Sequence, residues 1–597
     1  MYRAPVADIT HALRHVCGRG EALAAGRLGD HAGELGDDLI DAILVEAGRF
    51  ATERIAPLHL PGDRHGARRD EGGVTMPPGW KQLYADWIAG GWNALAGPRA
   101  HGGQGLPTTL AMAAMEMWCS ASIAFGLCPT LTMGAVEALD AHGSDALKSV
   151  YLEKLVTGEW TGTMNLTEPQ AGSDLGALKT RAEPAGDGTY RIFGQKIYIT
   201  YGDHDLTDNI VHLVLARLPD APAGTRGISL FLVPKFLVEP DGSTGARNDV
   251  VCSGIERKLG IHASPTCTMI YGEGRFGETP GAIGWLVGEE NRGLNCMFTM
   301  MNNARLAVGI QGVAVAEAAF QKARAYANER RQGRAPGWND DAMSPIVLHP
   351  DVQRNLLTMK ALTGAARGIC QACAHAIDMA RGAPPHARPF WHERAGLLTP
   401  LAKAFSTDIG SQVASLGVQV HGGMGYIEEA GAAIYMRDAR IAQIYEGTNG
   451  IQAIDLVQRK LPLSDGACVN AYLDELATIV DRVRAANAPG LGETARCLDT
   501  ALADLRAATA WLLARLDDGD RPAMLAAATP YQHLFGLVAG GACLAAGALA
   551  EAPDSGERIA LARFYAENLL AQATALRDRV EHGAASLHAA AEHLVGP

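Results

Sequence analysis

The chain has 597 residues, a net charge of −13 at neutral pH, and a composition that is 48% hydrophobic and 20% charged. This length is too great for one hydrophobic core, so we expect several domains, and the composition is that of an ordinary soluble protein. The negative charge argues against a nucleic-acid partner, which would need a basic face.

The sequence shows no sign of secretion or membrane insertion. Residues 1–9 lack the apolar core of a signal peptide, and the eleven scattered cysteines favour reduced thiols in the cytoplasm. The longest apolar run, residues 534–550, is broken by glycines and lacks a basic flank, so we predict a buried helix and no membrane span. Cys370 and Cys373 lie in an alanine-rich segment without a second cysteine pair or a nearby histidine, so we predict a structural role and no metal site.

The first part of the chain is predicted to be helical. Residues 38–56 carry apolar side chains at the 3.6-residue period of an amphipathic helix, and further helices are predicted at residues 80–96 and 108–139. Pro61 marks a predicted loop. We therefore predict an N-terminal helical domain at residues 1–158.

The middle of the chain changes to a β pattern. Residues 190–193 and 196–200 alternate around Gly194 and Gln195, as two paired strands do. Further strands are predicted at residues 209–218, 227–236 and 266–271. We predict a middle β domain at residues 159–284.

Helical periodicity returns at residue 291 and continues to the end of the chain. Helices are predicted at residues 291–331, 351–381 and 395–419, followed by alanine-rich helices at 472–485, 494–516, 531–550 and 557–580. We assign residues 285–461 to a helical bundle and 462–597 to an additional helical domain. The predicted fold class is mainly α with a middle β domain.

Three segments of the sequence are candidate functional motifs. They are residues 164–174 (MNLTEPQAGSD), residues 195–200 (QKIYIT) and Tyr445-Glu446-Gly447-Thr448. Glu446 follows an apolar and aromatic run, where burial would raise its pKa and make it a better proton acceptor. In this order and spacing, the three segments resemble the signature of the acyl-CoA dehydrogenase family of flavoenzymes. The resemblance covers about residues 40 to 460, and the helices after it resemble the C-terminal extension of the long members, which include 3-methylmercaptopropionyl-CoA dehydrogenases and broad-range enzymes.

The resemblance implies a fold and a reaction. The family fold has an N-terminal helical domain, a β-barrel-like middle domain and a four-helix bundle. The reaction is FAD-dependent α,β-dehydrogenation of an acyl-CoA thioester in fatty-acid metabolism (β-oxidation). Glu446 matches the base that takes the α proton, while the β hydrogen leaves as hydride to flavin N5. Some relatives carry the base at the position of Ala304, which cannot accept a proton, so the role falls to Glu446.

The resemblance also implies the binding residues. Those matching FAD contacts are Leu166, Thr167, Ser173, Tyr198, Thr200, Arg330, Gln332, Gln419, Gly422, Gly423, Thr448 and Asn449. Those on the substrate side are Ser173, Asn302, Arg305 and Gly447, and the guesses for the acyl pocket are Phe125, Cys128 and Met297. The chain departs from the family at Tyr198, where many members have tryptophan, and at Gly333, where they have phenylalanine. Without the resemblance, Tyr198 and Thr200 would be read as an ordinary strand and Arg305 as half of an ion pair.

The implied partners are an acyl-CoA, an electron-transfer flavoprotein and a second copy of the chain. In the family the neighbouring subunit receives the ADP half of FAD, so a homodimer is expected. One alternative is an acyl-CoA oxidase that reduces oxygen, although residues 593–597 lack a peroxisomal address. The other is a non-catalytic, DNA-associated flavoprotein, which would want a basic C-terminal region where this chain has mixed charge.

Overall fold

The computed structural model describes residues 2–16, 35–550, 556–591 and 593–594, without the side chains of residues 298 and 300–302. Its helices are α1 (Val6–His15), α2 (Asp37–Phe50), α3 (Ala56–His65), α4 (Trp80–Ala89), α5 (Thr108–Ala121), α6 (Ile123–His142), α7 (Asp145–Leu147), α8 (Glu153–Thr157), α9 (Gly293–Glu329), α10 (Pro350–Gly382), α11 (Arg388–His421), α12 (Ala433–Ala439), α13 (Asn449–Asp455), α14 (Ala467–Ala486), α15 (Thr494–Asp517), α16 (Arg521–Leu549), α17 (Gly556–Asn568) and α18 (Ala573–Ala591). Its strands are β1 (Arg68–Asp70), β2 (Gly73–Thr75), β3 (Thr161–Asn165), β4 (Arg181–Pro184), β5 (Tyr190–Thr200), β6 (Ile210–Ala216), β7 (Ser229–Pro234), β8 (Phe236–Val238), β9 (Thr244–Arg247), β10 (Val250–Ile255), β11 (Thr266–Tyr271) and β12 (Ala282–Val287). The predicted class, mainly helical with a middle β region, is confirmed.

The chain forms two compact units. The first comprises residues 1–51, 107–121 and 305–597, and the second comprises residues 52–106 and 122–304. Within the second unit, the main sheet has the strand order β10-β11-β5-β12-β7-β6-β3, with β4 added to β5. The β3–β6 pair is parallel and the other pairs are antiparallel.

Both faces of this sheet are covered, as β6 shows. Val211 and Leu213 belong to a cluster that includes Leu139 of α6, whereas Val214 and Ala216 belong to a separate cluster with residues of β5, β7 and β11. Because side chains alternate across a strand, a strand with two apolar faces must be buried on both sides. Every residue of β6 is buried.

The first unit is helical and closely packed at glycines. A Cβ atom at Gly312 of α9 would collide with the Ser406 carbonyl of α11, and one at Gly536 of α16 would collide with the Phe405 ring of α11. Of the described helices, α6 and α16 are long and apolar enough to cross a membrane, but 83% of the most apolar window of each is buried inside the protein. For residues 534–550 this agrees with the predicted buried helix.

The predicted β-hairpin at residues 190–200 is wrong, since β5 is one continuous strand. The alternation is the same on both sides of Gly194, so it does not distinguish a turn from a strand that continues. Glycine is required there for another reason: a Cβ atom would lie 2.5 Å from the Thr180 hydroxyl.

Several predicted helix boundaries are also wrong. Pro61 lies inside α3, so the proline does not end that helix. Its neighbour Gly62 packs closely on Trp80, where a Cβ atom would lie 2.8 Å from the indole nitrogen. The helix predicted at 108–139 divides at Ser122, whose hydroxyl accepts a hydrogen bond from Phe125 N and caps α6. The helix predicted at residues 80–96 ends at Ala89 before two glycines, and that at 557–580 divides into α17 and α18.

A buried arginine joins α5, α9 and α10. Arg367 Nη2 donates to Glu116 Oε1 at 2.7 Å and to Glu317 Oε2 at 2.9 Å, and none of the three side chains is more than 8% exposed. Removing the guanidinium would leave two carboxylates in the core without a counter-charge.

We therefore expect Arg367→Met to lower the free energy of unfolding by about 3 kcal/mol, because breaking a buried pair leaves an uncompensated charge. The measurement is the shift of the urea midpoint. Arg484 is the control, since it pairs with Asp481 at 2.7 Å and Asp499 at 3.1 Å on the surface. Arg484→Met should lower the free energy of unfolding by less than about 1 kcal/mol. Equal shifts of the urea midpoint for the two variants would contradict the role of Arg367 as a buried counter-charge.

Candidate active site

Glu446 stands on a strained turn in the first unit. Its backbone is left-handed, with φ +55°, a conformation that costs a non-glycine residue about 1–3 kcal/mol. Two hydrogen bonds hold the turn: Gln452 Nε2 donates to the Glu446 carbonyl at 3.1 Å, and Lys403 Nζ donates to the Gly447 carbonyl at 2.8 Å. Thr448 then caps α13 through its hydroxyl. Strained residues of this kind cluster at functional sites.

The surroundings of Glu446 make its carboxylate a better base. Burial raises its pKa, and the charges of Arg305 and Lys403 offset part of that rise. Lys403 is itself fully buried, and burial lowers its pKa to about 7. Arg305 Nη1 lies 3.6 Å from Asp455 Oδ2. The site is thus a half-buried carboxylate flanked by two cationic side chains.

Two hydrogen-bond donors near this carboxylate are free. The Glu446 N–H donates to no acceptor among the described residues, and neither does the buried Arg305 Nε within the same part of the chain. Free N–H donors beside a base are what a thioester carbonyl needs, since its oxygen gains negative charge as the α proton leaves.

In the second unit, the structure brings Leu166 and Thr167 beside Tyr198. The Thr167 carbonyl accepts a hydrogen bond from Ile197 N at 2.9 Å, and the Thr200 carbonyl accepts one from Thr163 Oγ1 at 2.7 Å. Tyr198 is 60% exposed with φ +61°. An open aromatic face in a strained backbone suits a flat ring stacked on it.

A buried ion pair fixes these segments to each other. Lys196 Nζ lies 2.8 Å from Glu168 Oε1 and donates to the Leu166 carbonyl at 3.0 Å. Burial alone would raise the pKa of Glu168, but Lys196 and backbone N–H groups lower it to about 2. The pair therefore stays ionised at neutral pH and holds the 166–168 segment on β5.

The remaining predicted residues of the second unit are spread out. Ser173 is exposed on the loop after β3, and the side chain of Asn302 lies outside the described residues. Phe125, Cys128 and Met297 are buried, and Phe125 packs edge-on against Trp80, with ring centroids 5.9 Å apart.

Another group lies where α9 and α11 end in the first unit. Tyr326 of α9 stacks on His421 of α11 with ring centroids 4.4 Å apart, which places the ends of the two helices together. The predicted residues near these ends are all exposed: Arg330, Gln332, Gln419, Gly422 and Gly423. Nothing lies within 4 Å of a Cβ position at Gly422 or Gly423, so their backbone is open to phosphate.

Asn449 differs from the other predicted FAD contacts, because its amide is engaged inside the unit. Its Oδ1 accepts from Lys403 Nζ at 2.8 Å, and its Nδ2 donates to Asp408 Oδ1 at 2.7 Å. The amide therefore acts on the Glu446 turn through Lys403, which also donates to the Gly447 carbonyl.

The sequence interpretation missed three charged residues that organise these groups: the buried Lys196 and Lys403, and the half-buried Asp408. The available signal was a lysine within an apolar helical run, residues 397–405 (LLTPLAKAF). A lysine at such a position is buried and needs polar partners.

Each unit taken by itself offers groups that suit part of FAD. In the second unit the exposed Tyr198 face suits the flavin ring, and in the first unit Arg330 and the open glycines suit a pyrophosphate. Among the described residues, no group of three or more His, Cys, Asp or Glu side chains could hold a metal ion.

Comparison with known protein families covers nearly the whole chain. The N-terminal, middle and C-terminal domains of acyl-CoA dehydrogenase match residues 40–159, 163–273 and 291–461. A further family, described as acetyl-CoA dehydrogenase C-terminal like, matches residues 472–591.

Individual relatives agree. The chain is 45% identical to a 3-methylmercaptopropionyl-CoA dehydrogenase of Ruegeria pomeroyi, over 97% of this chain and 98% of that protein. It is 36% identical to a butyryl-CoA dehydrogenase of Syntrophomonas wolfei, over 74% of each. An acyl-CoA dehydrogenase from Bacillus anthracis, solved in complex with FAD, shares the fold with a TM-score of 0.71 at 19% identity, over 92% of this chain and 89% of that one. This chain therefore belongs to the acyl-CoA dehydrogenase family and is an enzyme of that class.

Proposed function

We propose that the protein removes the α proton of an acyl-CoA thioester with Glu446 and yields the trans-2-enoyl-CoA. The observation that carries this proposal is the Glu446 carboxylate itself. It is half-buried on a strained turn, burial raises its pKa, and free donors lie beside it. A general base needs a suitable pKa and a fixed position near the proton that it abstracts. The buried setting raises the pKa of Glu446, and the hydrogen-bonded turn fixes its position.

FAD is the cofactor of the family, and when bound it supplies the acceptor for the β hydrogen, which leaves as hydride. The protein's own residues position the flavin and polarise the thioester carbonyl. Tyr198 offers a face for the ring, and the Lys196–Glu168 pair fixes the 166–168 segment beside it. The Glu446 N–H polarises the thioester carbonyl, which makes the α proton acidic enough for a carboxylate.

The substrate we propose is a short acyl-CoA, with 3-methylmercaptopropionyl-CoA as the first candidate. The support is the 45% identity over 97% of the chain to an enzyme named for that substrate. The electron acceptor we propose is an electron-transfer flavoprotein, as the family resemblance implies. Reduction of oxygen to peroxide at the rate of turnover would assign the chain to the oxidases instead.

We propose a homodimer in which each copy completes the FAD site of the other. The surface beside Gly422 and Gly423 supports this, because Met424, Tyr426 and Ile427 are 50%, 86% and 46% exposed. Exposed apolar side chains in one segment are typical of a subunit contact.

The mass in solution should therefore be twice the chain mass of 62.9 kDa. Tyr426→Arg should weaken the dimer and release FAD with it, since the ADP half would lose its second subunit. Light scattering measures the mass in solution, and flavin absorbance measures the FAD content of the same sample. A monomer that retains one FAD per chain would contradict the shared site.

Glu446→Gln should slow flavin reduction by acyl-CoA at least about 100-fold, because it removes the general base. The measurement is anaerobic mixing with a panel of acyl-CoAs, including 3-methylmercaptopropionyl-CoA and butyryl-CoA, followed by bleaching of the flavin band. Glu429→Gln, at an exposed position, is the control and should react like the parent enzyme. Bleaching that survives in Glu446→Gln would exclude Glu446 as the base.

The limiting rate of flavin reduction should rise with pH, since only ionised Glu446 accepts a proton. Burial raises its pKa, so the midpoint should lie above about 4.3, the ordinary value for glutamate. Arg305 and Lys403 both lower this pKa. Lys403→Met should therefore move the midpoint to higher pH, and the effect should appear below about pH 7, where Lys403 is charged. A midpoint that does not move, or moves down, would contradict the assigned charges.

A further inference from the structure

Asp408 of α11 joins the C-terminal extension to the catalytic turn. Its Oδ1 accepts hydrogen bonds from Asn449 Nδ2 at 2.7 Å and from Gln443 Nε2 at 2.6 Å. Its Oδ2 lies 2.9 Å from Nε2 of His533, on α16. Burial alone would raise the pKa of Asp408, but hydrogen bonds from His533, Gln443 and Asn449 lower it below its ordinary value. An ionised carboxylate only accepts hydrogen bonds, so His533 carries its hydrogen on Nε2.

The same carboxylate sets the orientation of Asn449 together with the Ala404 carbonyl, which accepts from Asn449 Nδ2 at 3.1 Å. Because Asp408 can only accept, the amide must turn its nitrogen toward Asp408 and its oxygen toward Lys403. Lys403 Nζ then donates both to that oxygen and to the Gly447 carbonyl, each at 2.8 Å. The path His533–Asp408–Asn449–Lys403–Gly447 is unbroken, and each step is 2.9 Å or shorter.

Close helix packing places His533 at the start of this path. Gly536 lies three residues after His533 on α16, and Phe405 lies three residues before Asp408 on α11. Residues three apart share a helix face. Since Gly536 has no side chain, the Phe405 ring packs directly on the α16 backbone. The two helices are therefore near enough for the imidazole to reach the carboxylate, although its side chain is 44% exposed.

We propose that His533, in the C-terminal extension, is a positioning residue for the dehydrogenation. It holds Asp408, which orients Asn449 and Lys403 and so fixes the left-handed turn that carries Glu446. This inference rests on the proposed role of Glu446 as the base. Within the described part of the chain, His533 is the sole partner of Asp408 Oδ2, so its loss leaves the carboxylate held through Oδ1 alone and less tightly fixed against Asn449.

The test uses the full-length holoenzyme and stopped-flow flavin reduction at saturating acyl-CoA. His533→Ala should lower the limiting rate about 10-fold, since small displacements of a catalytic group have effects of this size or larger. The acyl-CoA concentration at half-maximal rate, the FAD content and the melting temperature should stay unchanged. His533→Gln should restore most of the rate, because its amide can donate to Asp408. Thr529→Ala, at an exposed position one turn earlier on α16, should react like the parent enzyme.

A double variant shows whether the effect passes through Asp408. If it does, adding His533→Ala to Asp408→Asn should slow the reaction no further, whereas independent effects would multiply. An unchanged rate in His533→Ala overturns the inference, as does a fall in rate with equal losses of FAD and melting temperature that His533→Gln does not restore. Failure of the proposed function looks different: the parent enzyme is not reduced by any acyl-CoA, or its reduction survives Glu446→Gln.

Discussion

The Lys403 hydrogen bond to the Gly447 carbonyl is the contact on which the turn carrying Glu446, the proposed base, depends. Glu446 is held in a backbone conformation that it would not adopt alone, and the lysine next to it is fully buried. Burial lowers the pKa of Lys403 to about 7, so this position is costly for a cation. At this position the ammonium donates to the Gly447 carbonyl and lowers the pKa of Glu446.

The second unit uses the same device. Lys196 is as deeply buried as Lys403 and also donates to a backbone carbonyl, that of Leu166, at the start of the segment expected to meet the flavin. Glu168 compensates its charge at 2.8 Å, whereas Lys403 relies on Asn449 and on the more distant Glu446 and Asp408. In both units, therefore, a buried ammonium group holds a loop in place by donating a hydrogen bond to one of its backbone carbonyls.

The sequence was sufficient to predict the order of helical and β regions and to propose Glu446 as the base, because periodicity and a contiguous motif are local properties. It was insufficient where the structure depends on a contact between residues that are distant in the sequence. The alternation around Gly194 is the same for a hairpin and for a continuous strand, and only the pairing of β5 with the distant strands β4, β11 and β12 distinguishes them. Likewise, Asp408 and His533 are 125 residues apart, and no spacing rule connects them. The strain at Glu446 was equally hidden, since glutamate has no preference for a left-handed backbone.

The most direct test of Glu446 as the base is exchange of the α protons of a bound acyl-CoA with D2O, followed by NMR. This measurement isolates proton abstraction from hydride transfer. The role of Glu446 as the base predicts exchange catalysed by the parent enzyme, slower exchange in Lys403→Met, where the turn loses its hydrogen bond, and none above background in Glu446→Gln. Exchange that persists in Glu446→Gln would contradict it, because another group would then be the base.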